Sequence, residues 1–233
     1  MKKKIADLSE RTLFQNINLI ELGLVIDTFG NASSKIENTV IIKPSGVLLS
    51  EMEPDQMSVL DFNNFKLTSG KLPSSDTPTH FELYRSFDNI GGITHTHSLY
   101  ATAWAQAATC IPCFGTTHAD YWKGEIPVTR ELTANEINGE YELETGKIIV
   151  EKIKELRVDP LECPGIIVAH HGPFTWGRTV EEAVKNAERL EYIAKLAYMS
   201  LQINPQILPI STELHFRHFS RKHGPKAYYG QDY

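Results

Sequence analysis

Two histidines two residues apart, His95 and His97, follow a glycine pair in Gly91-Gly92-Ile93-Thr94-His95-Thr96-His97. Residues 93–97 read as a short strand, and alternate side chains of a strand share a face. The two imidazoles then stand side by side, about 6–7 Å apart at their roots, which is half of a metal site. Alone, the pattern equally describes polar residues on a solvated strand face. Two further histidines, His170 and His171, follow the apolar run 166–169, and His171 opens His171-Gly172-Pro173-Phe174. A carboxylate, Asp76, lies in Ser74-Ser75-Asp76-Thr77-Pro78. Three imidazoles and a carboxylate suit zinc or a similar divalent ion. Adjacent residues at a strand end point oppositely, so one of His170 and His171 can join, and periodicity does not choose between them. Asp76 has a plainer reading as an N-terminal helix residue.

A second chemistry is anion binding. Lys43-Pro44-Ser45-Gly46 offers a glycine turn, a hydroxyl and an ammonium, and Phe29-Gly30-Asn31 is a second glycine-polar corner. Ser74 and Ser75 precede a helix start, where free N–H groups and the helix dipole favour a phosphate. Each is common in turns; three in one chain point to a phosphate pocket. Asp120, in Gly115-Thr116-Thr117-His118-Ala119-Asp120-Tyr121, is a general acid/base candidate or a turn former. The basic, tyrosine-bearing tail from Arg217 and His218 through Arg221 to Tyr228-Tyr229-Gly230 suggests docking near an anionic site rather than a merely solvated end.

Helices and strands must carry these groups. Residues 7–24 place Leu13, Ile17, Ile20 and Leu24 at helical spacing, and Val40-Ile41-Ile42 is a strand stopped by the Lys-Pro-Ser-Gly turn. Thr77-Pro78 reads as N-cap and first helical residue, with Phe81, Tyr84 and Phe87 along that helix. Residues 99–107 are Ala-rich and helical, and 166–169 form a buried strand. Thr133 to Glu136 and Thr179 to Glu182 are capping boxes. The second opens a helix with Val180, Ala183, Val184, Ala187, Leu190, Ile193, Ala194 and Ala197 on one stripe. Short strands mixed with long helices, without strict alternation, favour a layered α/β fold over a doubly wound parallel sheet.

The 233 residues, 41% hydrophobic and 22% charged, form one domain (1–233) that needs no disulfide to fold. With a net charge of −6 and no basic stripe, nucleic acid is excluded as a partner, and an anionic substrate needs a local cradle. Asp7, Glu10 and Arg11 interrupt any signal peptide after Met1-Lys2-Lys3-Lys4, and no stretch is apolar enough to span a membrane. Three cysteines, Cys110, Cys113 and Cys163, then imply reduced thiols and a cytoplasmic protein. Cys110-Ile-Pro-Cys113 has redox spacing but reads better as small buried side chains.

These segments resemble the class II aldolase/adducin family, and within it the L-ribulose-5-phosphate 4-epimerases, over nearly the whole chain. The matching stretches run from Gly30-Asn31 through Lys43 to Gly46, Pro73 to His80, Gly91 to His97, Gly115 to Tyr121, Glu136 to Tyr141, His171 to Phe174 and Arg221 to Gln231. The resemblance implies a layered α/β/α domain with a central, mostly antiparallel sheet. It implies one divalent ion, zinc foremost, on His95, His97 and His171 with Asp76. It puts a sugar phosphate against Asn31, Ser45, Gly46, Ser74 and Ser75, with Gly30, Lys43, Thr116 and Glu142 as further binding candidates. Asp120 and Tyr229 correspond to the proton donor/acceptor pair. His218 and Arg221 match residues that reach the site from a neighbouring subunit of a cyclic homotetramer. The implied reaction interconverts L-ribulose 5-phosphate and D-xylulose 5-phosphate, in pentose catabolism of the arabinose or ascorbate type. Phe29 replaces an expected Trp, and Asp27 an expected neutral residue; both flank the phosphate corner. A sugar-phosphate aldolase on the same scaffold, with a longer Glu in place of Asp76, and a non-catalytic adducin-like module are the alternatives.

Overall fold

The uninterrupted apolar run Val40-Ile41-Ile42 is a strand covered on both faces. Val40 and Ile42 pack with Phe81 and Tyr84, whereas Ile41 packs with Leu13 and Met57, as the two-residue period of a strand requires. The computed structural model describes residues 2–49, 52–224 and 227–229. In chain order the elements are α1 (Lys2–Glu21), β1 (Asn31–Ile36), β2 (Thr39–Ile42), β3 (Ser58–Asp61), β4 (Leu67–Ser69), α2 (Thr77–Ser86), β5 (Gly92–His95) and α3 (Leu99–Gln106). There follow α4 (Thr116–Ala119), α5 (Ala134–Asn138), α6 (Tyr141–Leu156), β6 (Gly165–Ile167), β7 (Pro173–Gly177), α7 (Val180–Ile203) and α8 (Thr212–His223).

The strands form one seven-stranded sheet among the described residues, in the order β4-β3-β2-β1-β5-β7-β6. Every neighbouring pair is antiparallel. Helix α1 and the first half of α7 cover one face through Leu19, Ala32, Val180 and Val184. Helices α2 and α6 lie on the other through Phe81, Leu83, Ile148 and Ile149. The expected layered α/β/α architecture with an antiparallel sheet is the one observed.

The helix expected over 7–24 starts at Lys2 and ends before Gly23, whose φ of +66° is the left-handed stop of a helix C-terminus. Of the expected apolar stripe Leu13 and Leu24 are buried and Ile17 half-buried, whereas Ile20 is 44% exposed. Polar side chains add to the docking. Asn16 exchanges two hydrogen bonds with the Ala32 backbone (2.7 and 3.0 Å), and Thr12 Oγ1 meets Ser34 Oγ at 2.6 Å. The strand expected over 93–97 stops at His95, and that expected over 166–169 stops at Ile167, where the chain turns through Val168 and His171. Helix α2 has Asp76, not Thr77, at its N-cap, with Pro78 one residue further in. The Thr77 hydroxyl bonds the Ser74 carbonyl (2.6 Å), so the helical turn begins early. Thr133 and Glu136 form a full capping box. Thr179 caps the Glu182 N–H, but the Glu182 carboxylate takes the Arg178 amide instead. All eight residues of the α7 stripe are buried.

The glycine pair before the histidines permits close packing. A Cβ on Gly91 would lie 2.3 Å from the Arg178 carbonyl oxygen, and one on Gly92 2.4 Å from the Thr179 and Val180 backbone. The start of α7 therefore rests directly on β5. Gly92→Ala is expected to lower stability by about 1–3 kcal/mol through overpacking against backbone. Gly23→Ala, with open space around it, should cost about 1 kcal/mol of left-handed strain. Urea denaturation of the two variants checks the order.

Candidate functional site

His95 closes β5, paired with Asn31 of β1 on one side and Phe174 of β7 on the other. Its Nδ1 lies 3.0 Å from the Pro173 carbonyl. A carbonyl only accepts, so Nδ1 carries the proton and Nε2 presents its lone pair to the cleft. The ring stacks on Phe174 at 4.1 Å between centroids. His97 lies beyond the strand, yet its Nε2 is 3.1 Å from that of His95. His171 joins them from the turn before β7, its ring centroid 4.7 Å from that of His95 and 5.1 Å from that of His97. One ring nitrogen from each of the three lies within 4.8 Å of the others. Its neighbour His170 adopts a left-handed backbone (φ +60°) and turns outward to Glu131, 3.1 Å away.

The trio fits a divalent ion. Ligand nitrogens around tetrahedral zinc stand about 3.3 Å apart, given Zn–N near 2.0–2.1 Å. His171 Nδ1 is buried without a hydrogen-bond partner. Burial, first among the causes, drives the His95 imidazole down to about 3, and it also lowers His97 and His171. All three are then in the neutral form that ligates metal. Asp76 is outside this tight group. Its Oδ2 accepts a 2.6 Å hydrogen bond from Asn31 Nδ2, which also reaches Ser74 Oγ at 3.2 Å. Burial alone would raise the Asp76 carboxyl, but His95, His80, the Asn31 amide and His171 together hold it below the usual carboxylate range.

Beside the histidines, main-chain bonds hold the two serine-bearing turns together. Ser74 N–H donates to the Lys43 carbonyl and Ser45 N–H to the Leu72 carbonyl, each at 3.0 Å. Gly30 (φ +72°) seals the corner, because a Cβ there would lie 2.8 Å from the His95 carbonyl oxygen. Gly30, Asn31, Lys43, Ser45, Gly46, Ser74 and Ser75 thus line one cleft of about 380 Å³ with Asp76, His95, His97 and His171. Lys43 is buried, and its Nζ donates to the Thr28 carbonyl at 2.9 Å, so it is anchored rather than free. Burial lowers its ammonium, with Asp76 opposing.

Six sequence candidates are not in that cleft lining: Thr116, Asp120, Glu142, His218, Arg221 and Tyr229. Four of them form a group of their own. Arg221 clamps Asp120 through Nε (3.0 Å) and a terminal nitrogen (2.8 Å), and His218 Nδ1 is 3.1 Å from the same carboxylate. The Arg221 guanidinium lies 4.2 Å from the centre of the Tyr229 ring. The anionic group that the basic tail meets is therefore Asp120 of the same chain; Pro225, Lys226, Gly230 and Gln231 of that tail are outside the described residues. Burial would raise the Asp120 carboxyl, but Arg221 and His218 outweigh it and keep it ionised. Thr116 begins the short helix that Asp120 ends, accepting the Asp120 N–H at 2.9 Å. Glu142 is the second residue of α6, its carbonyl held by the Thr79 hydroxyl.

Two contacts escaped the sequence reading. The Tyr141 ring is 6.2 Å from that of His171, and Phe174 supports His95. Both sit inside quoted motifs; only their partners across the fold reveal them. Phe29, noted as a departure, lies 5.9 Å from the His97 ring. The thiols are free, and burial pushes Cys110 and Cys113 up to about 11 and Cys163 to about 12, consistent with packing rather than redox chemistry.

The sequence profile of the Class II Aldolase and Adducin N-terminal domain matches residues 15–198. The chain belongs to the class II aldolase and adducin family. An L-ribulose-5-phosphate 4-epimerase (UlaF) of Salmonella paratyphi C is 49% identical over 226 residues, 96% of this chain and 98% of its own. A relative of the same name from Salmonella choleraesuis matches to the same extent. Among solved structures, an L-fuculose 1-phosphate aldolase superposes with a TM-score of 0.77 at 22% identity, over 92% of this chain and 95% of its own. YgbL of Klebsiella pneumoniae, described as a putative aldolase/epimerase/decarboxylase, gives 0.71 at 23% identity over 91% and 98%. These two similarities are of fold.

The segment that carries Asp120 contains a histidine with a measurable consequence. Burial first, and His215 second, hold His118 down to about 4 against an ordinary 6.5. Between those values the unfolded chain binds the extra proton, so stability falls as pH drops through the window and is constant above it. The contribution is on the order of 3 kcal/mol. Urea midpoints at pH 7 and pH 4.5 should differ less for His118→Gln than for wild type.

Proposed function

We propose that the chain is a divalent-metal L-ribulose-5-phosphate 4-epimerase, interconverting L-ribulose 5-phosphate and D-xylulose 5-phosphate. The observation that carries the reading is the union, in one cleft, of three converging neutral imidazoles with a serine, glycine and amide corner fit for a phosphate. The near full-length relatives named for this reaction support it.

The two sugars differ only at C4. Its hydrogen is β to the C2 ketone and too weakly acidic for simple removal and return. Breaking C3–C4 is easier: the C4 hydroxyl loses its proton and becomes an aldehyde, and the bonding electrons pass to C3. The fragments are the enediolate of dihydroxyacetone and glycolaldehyde phosphate. Rotation of the aldehyde exposes its other face, and re-addition with return of the proton inverts C4. A divalent ion, zinc on this reading, held by His95, His97 and His171 with Asp76 as a further ligand, would supply Lewis-acid stabilisation of the enediolate charge.

The protein's own groups do the rest. Ser45, Ser74 and Ser75 hydroxyls, the Gly46 and Asn31 corners and the Lys43 charge would grip the phosphate, so the aldehyde turns without leaving. Asp120 and Tyr229 would exchange the C4-oxygen proton on the two faces of the aldehyde. Asp120, His218, Arg221 and Tyr229 form one group apart from the cleft lining, which supports delivery of that group into the cleft of a neighbouring copy in a cyclic homotetramer. Tyr198 and Phe216, 47% and 69% exposed, offer apolar surface for such contacts. Thr116 and Glu142, outside the cleft lining of the same chain, would add further substrate contacts on this reading. Free thiols support a cytoplasmic setting, and among the described residues no helix is long and apolar enough to cross a membrane.

Purified protein should convert L-ribulose 5-phosphate to D-xylulose 5-phosphate, lose activity to a chelator and release no free glycolaldehyde phosphate. Aldehyde release without epimer would move the reading to an aldolase. Asp120→Asn and Tyr229→Phe should each lower kcat by about 10²–10⁴; near-normal turnover in both would sink the acid/base assignment. His95→Ala should leave protein purified from metal-replete medium with little bound ion, read by elemental analysis.

A further inference from the structure

His97, like His171, lies between elements. β5 ends at His95 and α3 begins at Leu99. Among the described residues, neither the amide nor the carbonyl of His97 enters a backbone hydrogen bond. Its position is therefore set by what is fixed on either side. On one side the Thr96 N–H donates to the Pro173 carbonyl at 3.3 Å. On the other side lies the start of α3, where the local cap is missing. Ser98 occupies the N-cap position with extended backbone, but its side chain makes no capping bond, and its Oγ is buried without a partner.

The cap comes from α7. Glu191 accepts the Tyr100 N–H on Oε1 and the Ala101 N–H on Oε2, both at 2.9 Å. These are the second and third amides of the helix, the ones an N-cap side chain normally serves. The charge also lies at the favourable end of the helix dipole. Glu191 is itself well placed, since Leu190 and Ile193 on the same helix are in the main core. The His171 turn closes on the same connector: a Cβ on Gly172 would lie 2.7 Å from the Thr96 carbonyl oxygen. Helix α3 has a second tie to α7, from Trp104 Nε1 to the Ala194 carbonyl at 3.1 Å. That bond is remote from the connector and serves as a control.

We propose that Glu191 is a positioning residue for the His97 imidazole, capping α3 across the fold so that the β5–α3 connector holds His97 at its spacing from His95 and His171. The proposal rests on the metal reading of the cleft. It is tested with the full-length protein, stripped of metal and titrated with Co2+ against a competing chelator, with the visible Co2+ spectrum recorded. E191A should bind Co2+ roughly ten- to a hundredfold more weakly, the range for lost outer partners of metal ligands, with a changed spectrum. Adding S98D, which supplies a cap locally, should restore most of the affinity; no restoration counts against the proposal. W104F should lower Tm with affinity unchanged. E191Q, which keeps one acceptor oxygen, should fall between wild type and E191A, and it decides the matter where E191A does not fold. Wild-type affinity and spectrum in the Glu191 variants overturn the proposal, as does equal weakening in W104F. If His95→Ala abolishes Co2+ binding while E191A leaves it intact, the metal reading stands and Glu191 alone is removed. If wild type binds no Co2+, both fall.

Discussion

His95 is registered twice, against Asn31 of β1 and against Phe174 of β7, and the cleft is assembled around that double pairing. Asn31 carries the hydrogen bond to Asp76, so the carboxylate and the serine turn are tied to the strand beside the histidines. Phe174 lies under the imidazole, and Pro173, one residue earlier, fixes its tautomer. A one-residue slip of either ladder would send these side chains to the opposite face and separate the histidines from the anion corner. Glycines at 91 and 92 let α7 lie directly on the start of β5, so the strand is held at its beginning by the buried face of a long helix and at its end by its neighbours' side chains.

The electrostatics of the cleft follow from burial. An acidic chain with a net charge of −6 has little long-range attraction for a sugar phosphate, so attraction must be local. The cleft holds one buried ammonium, Lys43, and one carboxylate, Asp76, whose charges roughly cancel. Burial keeps the histidines neutral. On the proposed reading a dication and a substrate phosphate would then compensate one another in a lining that is itself close to neutral. Such a lining avoids leaving a strong unpaired charge in a partly dry cavity before either arrives.

The sequence made some of this legible because local periodicity carried it. His95 and His97 approach as a two-residue period predicts even though the strand ends at the first of them. The α7 stripe is buried at every expected position because apolar side chains carry the packing along that face of the helix. Where polar groups share the packing, periodicity was less complete: α1 docks through Leu13 and Leu19 together with Thr12 and Asn16, while Ile20 is exposed. The choice of His171 over His170 depends on a left-handed residue in a turn, which no pattern of residue types reveals. Glu191 was invisible because the cap it supplies belongs to a helix far away in sequence.

The pairing of Asp120 with Arg221 constrains how the proposed proton transfer can run. A carboxylate held ionised by a two-pronged guanidinium and an imidazole is prepared to take a proton and poorly disposed to keep one. On the proposed reading Asp120 is in the ionised form that can take the C4-hydroxyl proton, and the clamp, which weakens it as a base, favours handing the proton back when the bond re-forms. The same clamp binds His218, Arg221 and Asp120 into a unit and stacks Tyr229 beside it. If that unit serves a neighbouring cleft, it arrives assembled, and its internal geometry is settled by folding of one chain rather than by association of two. Metal and phosphate grips would belong to one chain and proton handling to the other, so assembly would complete the reaction machinery without having to build either half.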